Sequence, residues 1–248
     1  MEIGMENLDI SEEMESVKDE DISEGKYTDV NAYMLPETRY DVPDVEVAIV
    51  SGDPEGAAQI VDFVQGDEVE GAEGTCGLTS IANICRLSGM EVTEGEVVTY
   101  ALENGLCGYN PWEPGETGGV NDEQMVEILR DYGIEADAYD ADQYDLEFVA
   151  QAIESGRGVI AGVDAGTLWN DPAYTDTICG HRAANHAITL TGVARDAETG
   201  NVAGFYICDS GAGDACRYIS AEEFHEMCGA GDIEFDSFII TDDNIRRA

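Results

Sequence analysis

Residues 74–89 read GTCGLTSIANICRLSG, and they place a thiol, Cys76, where a glycine-rich loop turns into a helix. Apolar side chains recur after the thiol at helical spacing: Leu78, Ile81, Ala82, Cys85 and Leu87. A thiol at a helix N-terminus lies at the positive end of the helix dipole, beside backbone N–H groups without partners in the helix. Both favour the thiolate, the nucleophilic form of cysteine. The stretch predicts either a catalytic nucleophile or a structural core cysteine, and a base elsewhere in the chain would decide between them.

Two further helices have clear start signals in the sequence. Thr93 followed by Glu96 forms a capping-box pattern and predicts a helix over 93–103. Asn121 is a typical N-cap for a third helix over 122–132, which the following glycine ends.

The chain divides into two parts by composition. Residues 1–57 are acidic, contain three prolines and show little periodicity, which is typical of a flexible or loosely packed arm. That arm could also be an inhibitory pro-segment or a partner-binding tail. Over 58–248 helical patterns come first and β-branched strand patterns follow, so we expect one α+β domain there.

The charge of the chain excludes some partners. Its 248 residues include 54 acidic and 11 basic side chains, which give a formal net charge of −43. Phosphate backbones would be repelled, so we expect no nucleic-acid partner, and anionic membrane surfaces are disfavoured for the same reason. A basic peptide or protein is the favoured partner, although the acidity could also serve solubility alone.

The seven cysteines indicate reduced thiols. Their odd number and the lack of a CxxC pair argue against a disulfide framework and a four-cysteine zinc site. Cys179, His181 and His186 in CGHRAANH have spacings that a metal could use, but no second cluster completes a site, so we predict neither metal nor cofactor. Residues 1–16 lack a signal-peptide pattern, and no apolar run spans a membrane, so we expect a cytoplasmic protein or export without a classical signal.

A predicted hairpin supplies a base. The runs 186–194 and 202–209 flank the short turn DAETG, and pairing them across that turn places His186 opposite Asp209. Ile188 and Leu190 would then share a face with His186, because side chains on one face repeat every two residues. A carboxylate beside a histidine fixes the imidazole tautomer and supports its charged form. Cys76, His186 and Asp209 therefore form a candidate nucleophile, base and orienting group.

With these residues in this order, the chain resembles papain-like cysteine peptidases, and among them the bacteriocin-processing, double-glycine-leader type. The match rests on TCGLTSIANI, NHAITLTGV and FYICDSG and covers about residues 58–241. The resemblance implies a papain-like α+β fold, with a helical N-terminal part whose nucleophile helix packs on an antiparallel sheet. It also implies peptide-bond hydrolysis through a Cys-His-Asp triad and a thioester acyl-enzyme.

The family also uses a glutamine upstream of the cysteine, whose amide helps to form the oxyanion hole. At that position this chain has Glu70, and the nearest glutamine is Gln65, eleven residues before Cys76. A glycine-containing loop could bring Gln65 to the thiol, so Gln65 completes the set of candidate catalytic residues. Tyr109, Trp112 and Trp169 lie in two long loops and could line a cleft.

Two other functions remain open on the sequence alone. The same fold and residues could deamidate or cross-link glutamine side chains, as an effector or toxin would. The chain could also be a catalytically degenerate binding module that uses its acidic arm as a contact surface.

Overall fold

The helix predicted after Cys76 is present as α2 (Cys76–Leu87) in the computed structural model, which describes residues 37–40, 42–43 and 45–245. Its apolar positions, including Leu78 and Ile81, are fully buried. The helix packs against two other helices, α3 (Glu94–Asn104) and α4 (Asp122–Asp131), and against the sheet. The N-terminal half of the domain is therefore built around the helix that carries Cys76.

The predicted start signals of α3 and α4 are confirmed. The Thr93 hydroxyl accepts from the Glu96 N–H at 3.2 Å, and the Glu96 carboxylate accepts from the Thr93 N–H at 3.0 Å. Asn121 and Gln124 form the same reciprocal pair at the start of α4. Each capping box provides acceptors for two backbone N–H groups at the start of the helix, which have no partner within the helix.

The remaining elements complete an α+β domain. The other helices of the described residues are α1 (Pro54–Ala57), α5 (Leu146–Glu154), α6 (Ala165–Leu168) and α7 (Ala221–Met227). Their strands are β1 (Glu37–Tyr40), β2 (Ala48–Gly52), β3 (Ala136–Asp140), β4 (Val159–Val163), β5 (Asp176–Ile178), β6 (His181–Ala183), β7 (His186–Asp196), β8 (Val202–Asp209), β9 (Asp214–Ser220), β10 (Ile233–Glu234) and β11 (Ser237–Thr241).

Eight strands form one antiparallel sheet centred on β7. One path of neighbours runs β1-β2-β7-β4-β11-β3, and β8 with β9 continues from β7. The first half of β7 pairs with β4 and its second half with β2, because β7 is longer than either neighbour. A second, three-stranded sheet has the order β10-β6-β5. No helix of the described residues is long and apolar enough to cross a membrane.

The hairpin of β7 and β8 forms, but near the site its predicted register is wrong by two residues. Leu190 pairs with Ile207 and Thr189 with Cys208, so His186 does not lie directly opposite Asp209. The turn is centred one residue later in the chain than predicted, and one extra residue in each strand shifts the pairing by a further residue in the middle of the hairpin. A shift of two residues keeps each side chain on its face, so the predicted shared face is retained.

Part of the predicted arm of residues 1–57 contributes to the sheet. Strand β2 pairs with the second half of β7, and its residues Ala48 and Val50 are fully buried. Residues 1–36 lie outside the described residues. The domain boundary near residue 57 remains a prediction.

Candidate active site

Three of the predicted site residues come together from the ends of three elements. Cys76 is the first residue of α2, His186 the first of β7, and Asp209 the last of β8. The His186 Nε2 atom lies 2.9 Å from the Asp209 Oδ1 atom, and the Cys76 thiol lies close enough to the same ring for the two groups to shift each other's pKa. Because Asp209 is bonded to Nε2, Nδ1 is the ring nitrogen that is left for the thiol. The imidazole thus lies between a thiol and a carboxylate.

Asp209 is fully buried and held by four donors. Its Oδ1 atom accepts from His186 and from the backbone N–H groups of Gly211 and Ala212 at 3.1 and 3.2 Å. Its Oδ2 atom accepts from Trp169 Nε1 at 2.8 Å. Burial raises the pKa of Asp209, but the bond and charge of His186 and these other donors outweigh it and hold that pKa below its usual value. Asp209 is therefore a carboxylate that orients the ring.

Trp169 is a residue whose role the sequence did not reveal. Its ring centroid lies 5.1 Å from that of His186, and its indole N–H is the donor to Asp209. The segment around it was expected to be a long polar loop, but it contains α6, β5 and β6. Arg182 holds these short elements together through hydrogen bonds to the Thr167 hydroxyl and the Asp232 carboxylate. Because these bonds join residues that are distant in sequence, no local pattern predicts them.

Gly211 permits the close approach of the loop that follows β8. A Cβ atom on this residue would lie 2.6 Å from Trp169 Cζ2 and 3.0 Å from His186 Cε1. Only a residue without a side chain lets this backbone turn back far enough to donate to Asp209.

The thiol and the imidazole shift each other toward their charged forms. Burial raises the pKa of Cys76, but the hydrogen bond and charge of His186, with the backbone amides of Ala187 and Gly77, outweigh it and lower that pKa. Burial disfavours a charged imidazole, but bonds to Asp209 and Cys76 raise the pKa of His186 to about 9. The pair therefore favours thiolate and imidazolium near neutral pH.

The other buried thiols show the opposite shift. Burial raises the pKa of Cys85 and that of Cys208 to about 12, and it raises the pKa of Cys228 well above its ordinary value. These side chains behave as small apolar core residues. A neighbouring imidazolium, rather than burial, therefore distinguishes Cys76.

Gln65, and not Glu70, lies at the site. Gln65 lines the same cleft as Cys76 and His186, whereas Glu70 is exposed at the surface. The Gln65 Oε1 atom accepts from the Ser210 hydroxyl at 3.2 Å, and its Nε2 atom donates to the Glu73 carbonyl at 3.2 Å. These bonds fix the orientation of the Gln65 amide in the cleft.

The cleft has a volume of about 1040 Å³. Its lining includes Trp169 and Tyr174, together with the carboxylates of Glu73, Asp122 and Glu123. Tyr109 and Trp112 instead project from the surface, with 71% and 88% of their area exposed.

The three residues of CGHRAANH whose spacing could suit a metal lie in different surroundings. Cys179 is exposed, His181 lies 3.7 Å from the Glu234 carboxylate, and His186 is in the cleft. Among the described residues, Asp140, Asp142 and Asp236 are the group whose ligand atoms lie close enough to share an ion. Acidic side chains are abundant in this chain, so their proximity alone assigns no metal.

A profile of the Peptidase_C39 like family matches residues 58–227, and the chain belongs to that family. The protein is therefore a cysteine peptidase with a papain-like α+β fold. The predicted resemblance and fold class are thereby confirmed.

Comparison with solved structures also finds similar proteins. The chain is similar to a double glycine motif protease from an AMS/PCAT transporter, whose crystal structure was determined in complex with the leader peptide. The two share 19% sequence identity over 73% of this chain and 91% of that chain, with a TM-score of 0.43. No curated protein sequence matches the chain.

Proposed function

We propose that this peptidase hydrolyses peptide bonds through a Cys76–His186–Asp209 triad and a thioester acyl-enzyme. The observation that carries this proposal is the position of His186, whose Nε2 atom is hydrogen-bonded to the buried Asp209 carboxylate while the Cys76 thiol lies close enough to the ring for the two groups to shift each other's pKa. A base oriented in this way both activates the nucleophile and later protonates the leaving group.

In the first step the Cys76 thiolate attacks the carbonyl carbon of the scissile bond. A C–S bond forms, and the carbonyl electron pair moves onto oxygen. When the tetrahedral species collapses, the C–N bond breaks and the leaving amine takes the Nδ1 proton of His186. The products of this step are a free amine, a neutral imidazole and a thioester on Cys76.

In the second step water hydrolyses the thioester. The neutral His186 takes a proton from water as its oxygen attacks the acyl carbon, and the C–S bond breaks to return the thiolate. Asp209 stays ionised throughout and keeps the ring in position, since four donors hold its oxygens.

Gln65 and the backbone N–H of Cys76 form the oxyanion hole in this proposal. One hydrogen of the Gln65 amide is directed to the Glu73 carbonyl, which leaves the second for the developing charge. The Cys76 N–H opens the helix and has no acceptor within it. Donors of this kind are each worth on the order of 10²–10³ in rate.

The proposed substrate is a peptide or an extended protein segment with basic character. Glu73, Asp122 and Glu123 line the cleft, and their carboxylates would attract a basic segment. The net charge of −43 would speed the encounter with a basic substrate.

Mass spectrometry of a peptide library after incubation with the protein tests the function. Peptidase activity should yield pairs of shorter peptides whose ends define one cleavage preference. Glutamine deamidation would leave peptides uncut with an amide converted to an acid, and transglutamination would join two peptides. Either of those products without cleavage, or an unchanged library, would contradict the proposal.

The pH dependence provides a second test of the triad. We expect kcat/KM to rise as Cys76 ionises, with a midpoint below that of a free thiol, about 8.5. It should fall again around pH 9, because His186 then loses the proton that the leaving amine needs. Alkylation of Cys76 by iodoacetamide, followed on the peptide that contains it, should rise with the same lower midpoint but show no fall. If the alkylation rate also fell around pH 9, as kcat/KM does, the roles assigned to Cys76 and His186 would be contradicted.

A further inference from the structure

The first residue of α3, Glu94, carries a carboxylate that is fully buried close to the active site. Its Oε1 atom accepts hydrogen bonds from the Gly66 N–H at 2.7 Å and from the Thr75 hydroxyl, and it shares the single hydrogen of the Thr79 hydroxyl, at 2.8 Å, with the Thr75 carbonyl at 2.9 Å. Its Oε2 atom is buried without a partner among the described residues. Burying a half-paired carboxylate is unfavourable, so stability alone is a poor reason for this residue.

The donors to Glu94 lie beside both halves of the proposed oxyanion hole. Gly66 directly follows Gln65, and Thr75 directly precedes Cys76. One oxygen of the Glu94 carboxylate therefore connects the loop that carries Gln65 to Thr75, the residue before Cys76.

Glu94 also redirects the hydroxyl of Thr75. Threonine at an N-cap position commonly accepts a hydrogen bond from the first turn of its helix. Here Thr75 occupies the N-cap of α2, but its hydroxyl donates to Glu94 and makes no cap bond to the first turn. The N–H groups at the start of α2 therefore stay available to the Cys76 thiolate and to an oxyanion.

A second contact fastens the same loop to α3. The Glu68 carboxylate accepts from the Gly95 N–H at 2.6 Å, next to the contact between Glu94 and Gly66. Gly66 has a φ of +76°, and a Cβ on it would lie 2.9 Å from the Glu73 Cα atom. The loop thus folds back tightly and is tied to α3, which brings Gln65 to the cleft from eleven residues upstream of Cys76.

We propose that Glu94 is a positioning residue that sets the geometry of the oxyanion hole, by holding the Gln65 loop against Thr75. The proposal rests on the proposed peptidase function and on Gln65 as a donor in it. Glu94 touches neither the substrate nor the reacting atoms. It acts through Gly66 and Thr75.

The test compares peptide hydrolysis with alkylation in the full-length Glu94→Ala variant. We expect kcat to fall by roughly 10², because a donor displaced by about 1 Å loses most of its effect. KM should change little. The rate and pH midpoint of Cys76 alkylation by iodoacetamide should stay unchanged, because displacement at an alkyl carbon develops no oxyanion.

Three single variants accompany this test. Glu94→Gln keeps an acceptor oxygen for Gly66 and Thr75 and should retain activity close to that of the unmodified protein. Glu96→Ala removes the exposed capping box from the same turn of α3 without touching the Gln65 loop, and it should leave kcat unchanged. Thr75→Val removes one donor at nearly constant volume, and it provides a smaller loss of the same kind if Glu94→Ala folds poorly.

A double variant links Glu94 to Gln65. If both residues act through one donor, Gln65→Ala with Glu94→Ala should be no slower than Gln65→Ala alone. Additive losses, or alkylation that falls in parallel with hydrolysis in both Glu94→Ala and Thr75→Val, would overturn the proposal for Glu94 while leaving the peptidase function intact. An unmodified protein that alkylates rapidly but cleaves no peptide would instead overturn the proposed function itself, and the role of Glu94 with it.

Discussion

Replacing Cys76 by alanine is expected to reduce peptide hydrolysis to background, a loss on the order of 10⁶ in kcat. The substitution removes the only atom that can form the thioester, so no part of the acyl-enzyme route remains. The same variant should lose the rapidly alkylated site at pH 6–7, where ordinary thiols are mostly protonated. Cleavage rates and the mass of the alkylated peptide containing residue 76 measure the two effects.

Cys216→Ala is the matched control for this loss. Cys216 is a partly buried thiol on β9, and burial raises its pKa, so it should contribute neither to hydrolysis nor to rapid labelling. The control variant should therefore keep full activity. Equal labelling of the unmodified protein and Cys76→Ala at neutral pH, or cleavage that survives in Cys76→Ala, would show that the nucleophile is another residue.

The second large effect is expected for His186→Ala, with a loss on the order of 10⁴ in kcat/KM. This variant removes the proton donor for the leaving amine and also the positive charge that stabilises the thiolate. Since Cys76 would remain partly buried and would lose the neighbouring positive charge, its pKa should rise above that of a free thiol. The pH midpoint of Cys76 alkylation measures this second effect independently of any peptide substrate.

His225→Gln serves as the control for that variant. His225 lies exposed in the last turn of α7 and should affect neither the hydrolysis rate nor the alkylation midpoint. An alkylation midpoint that is the same in His186→Ala and in the unmodified protein would refute the thiolate–imidazolium pair, even if hydrolysis were lost.

The sequence was sufficient for features that depend on local periodicity. The helical spacing after Cys76 and the capping boxes of α3 and α4 involve residues three or four apart, whose contacts follow from helix geometry alone. The shared face of His186 and Asp209 was also predicted, although the register was not. The face of the sheet on which a side chain lies depends on whether the register shift is odd or even, so an error of two residues near the site does not change it.

Features that depend on contacts between distant segments could not be predicted in this way. Trp169 donates to Asp209 across forty residues, and Arg182 holds the short elements around Trp169 through carboxylates that are far away in sequence. The position of Gln65 was left open, because the course of its loop depends on how Gly66 and Glu68 bind the start of α3.

By itself the sequence determined the α+β class, the thiol at the start of a helix, and the strand face that offers a histidine and an acid. These follow from periodicity, charge and residue type, which are encoded locally. Only the tertiary structure decided that the imidazole lies between Cys76 and Asp209, that Gln65 rather than Glu70 enters the cleft, and that Glu94 ties the two sides of the site together. The physical reason is that ionisation and hydrogen bonding depend on distances and burial, which exist only once the chain has folded.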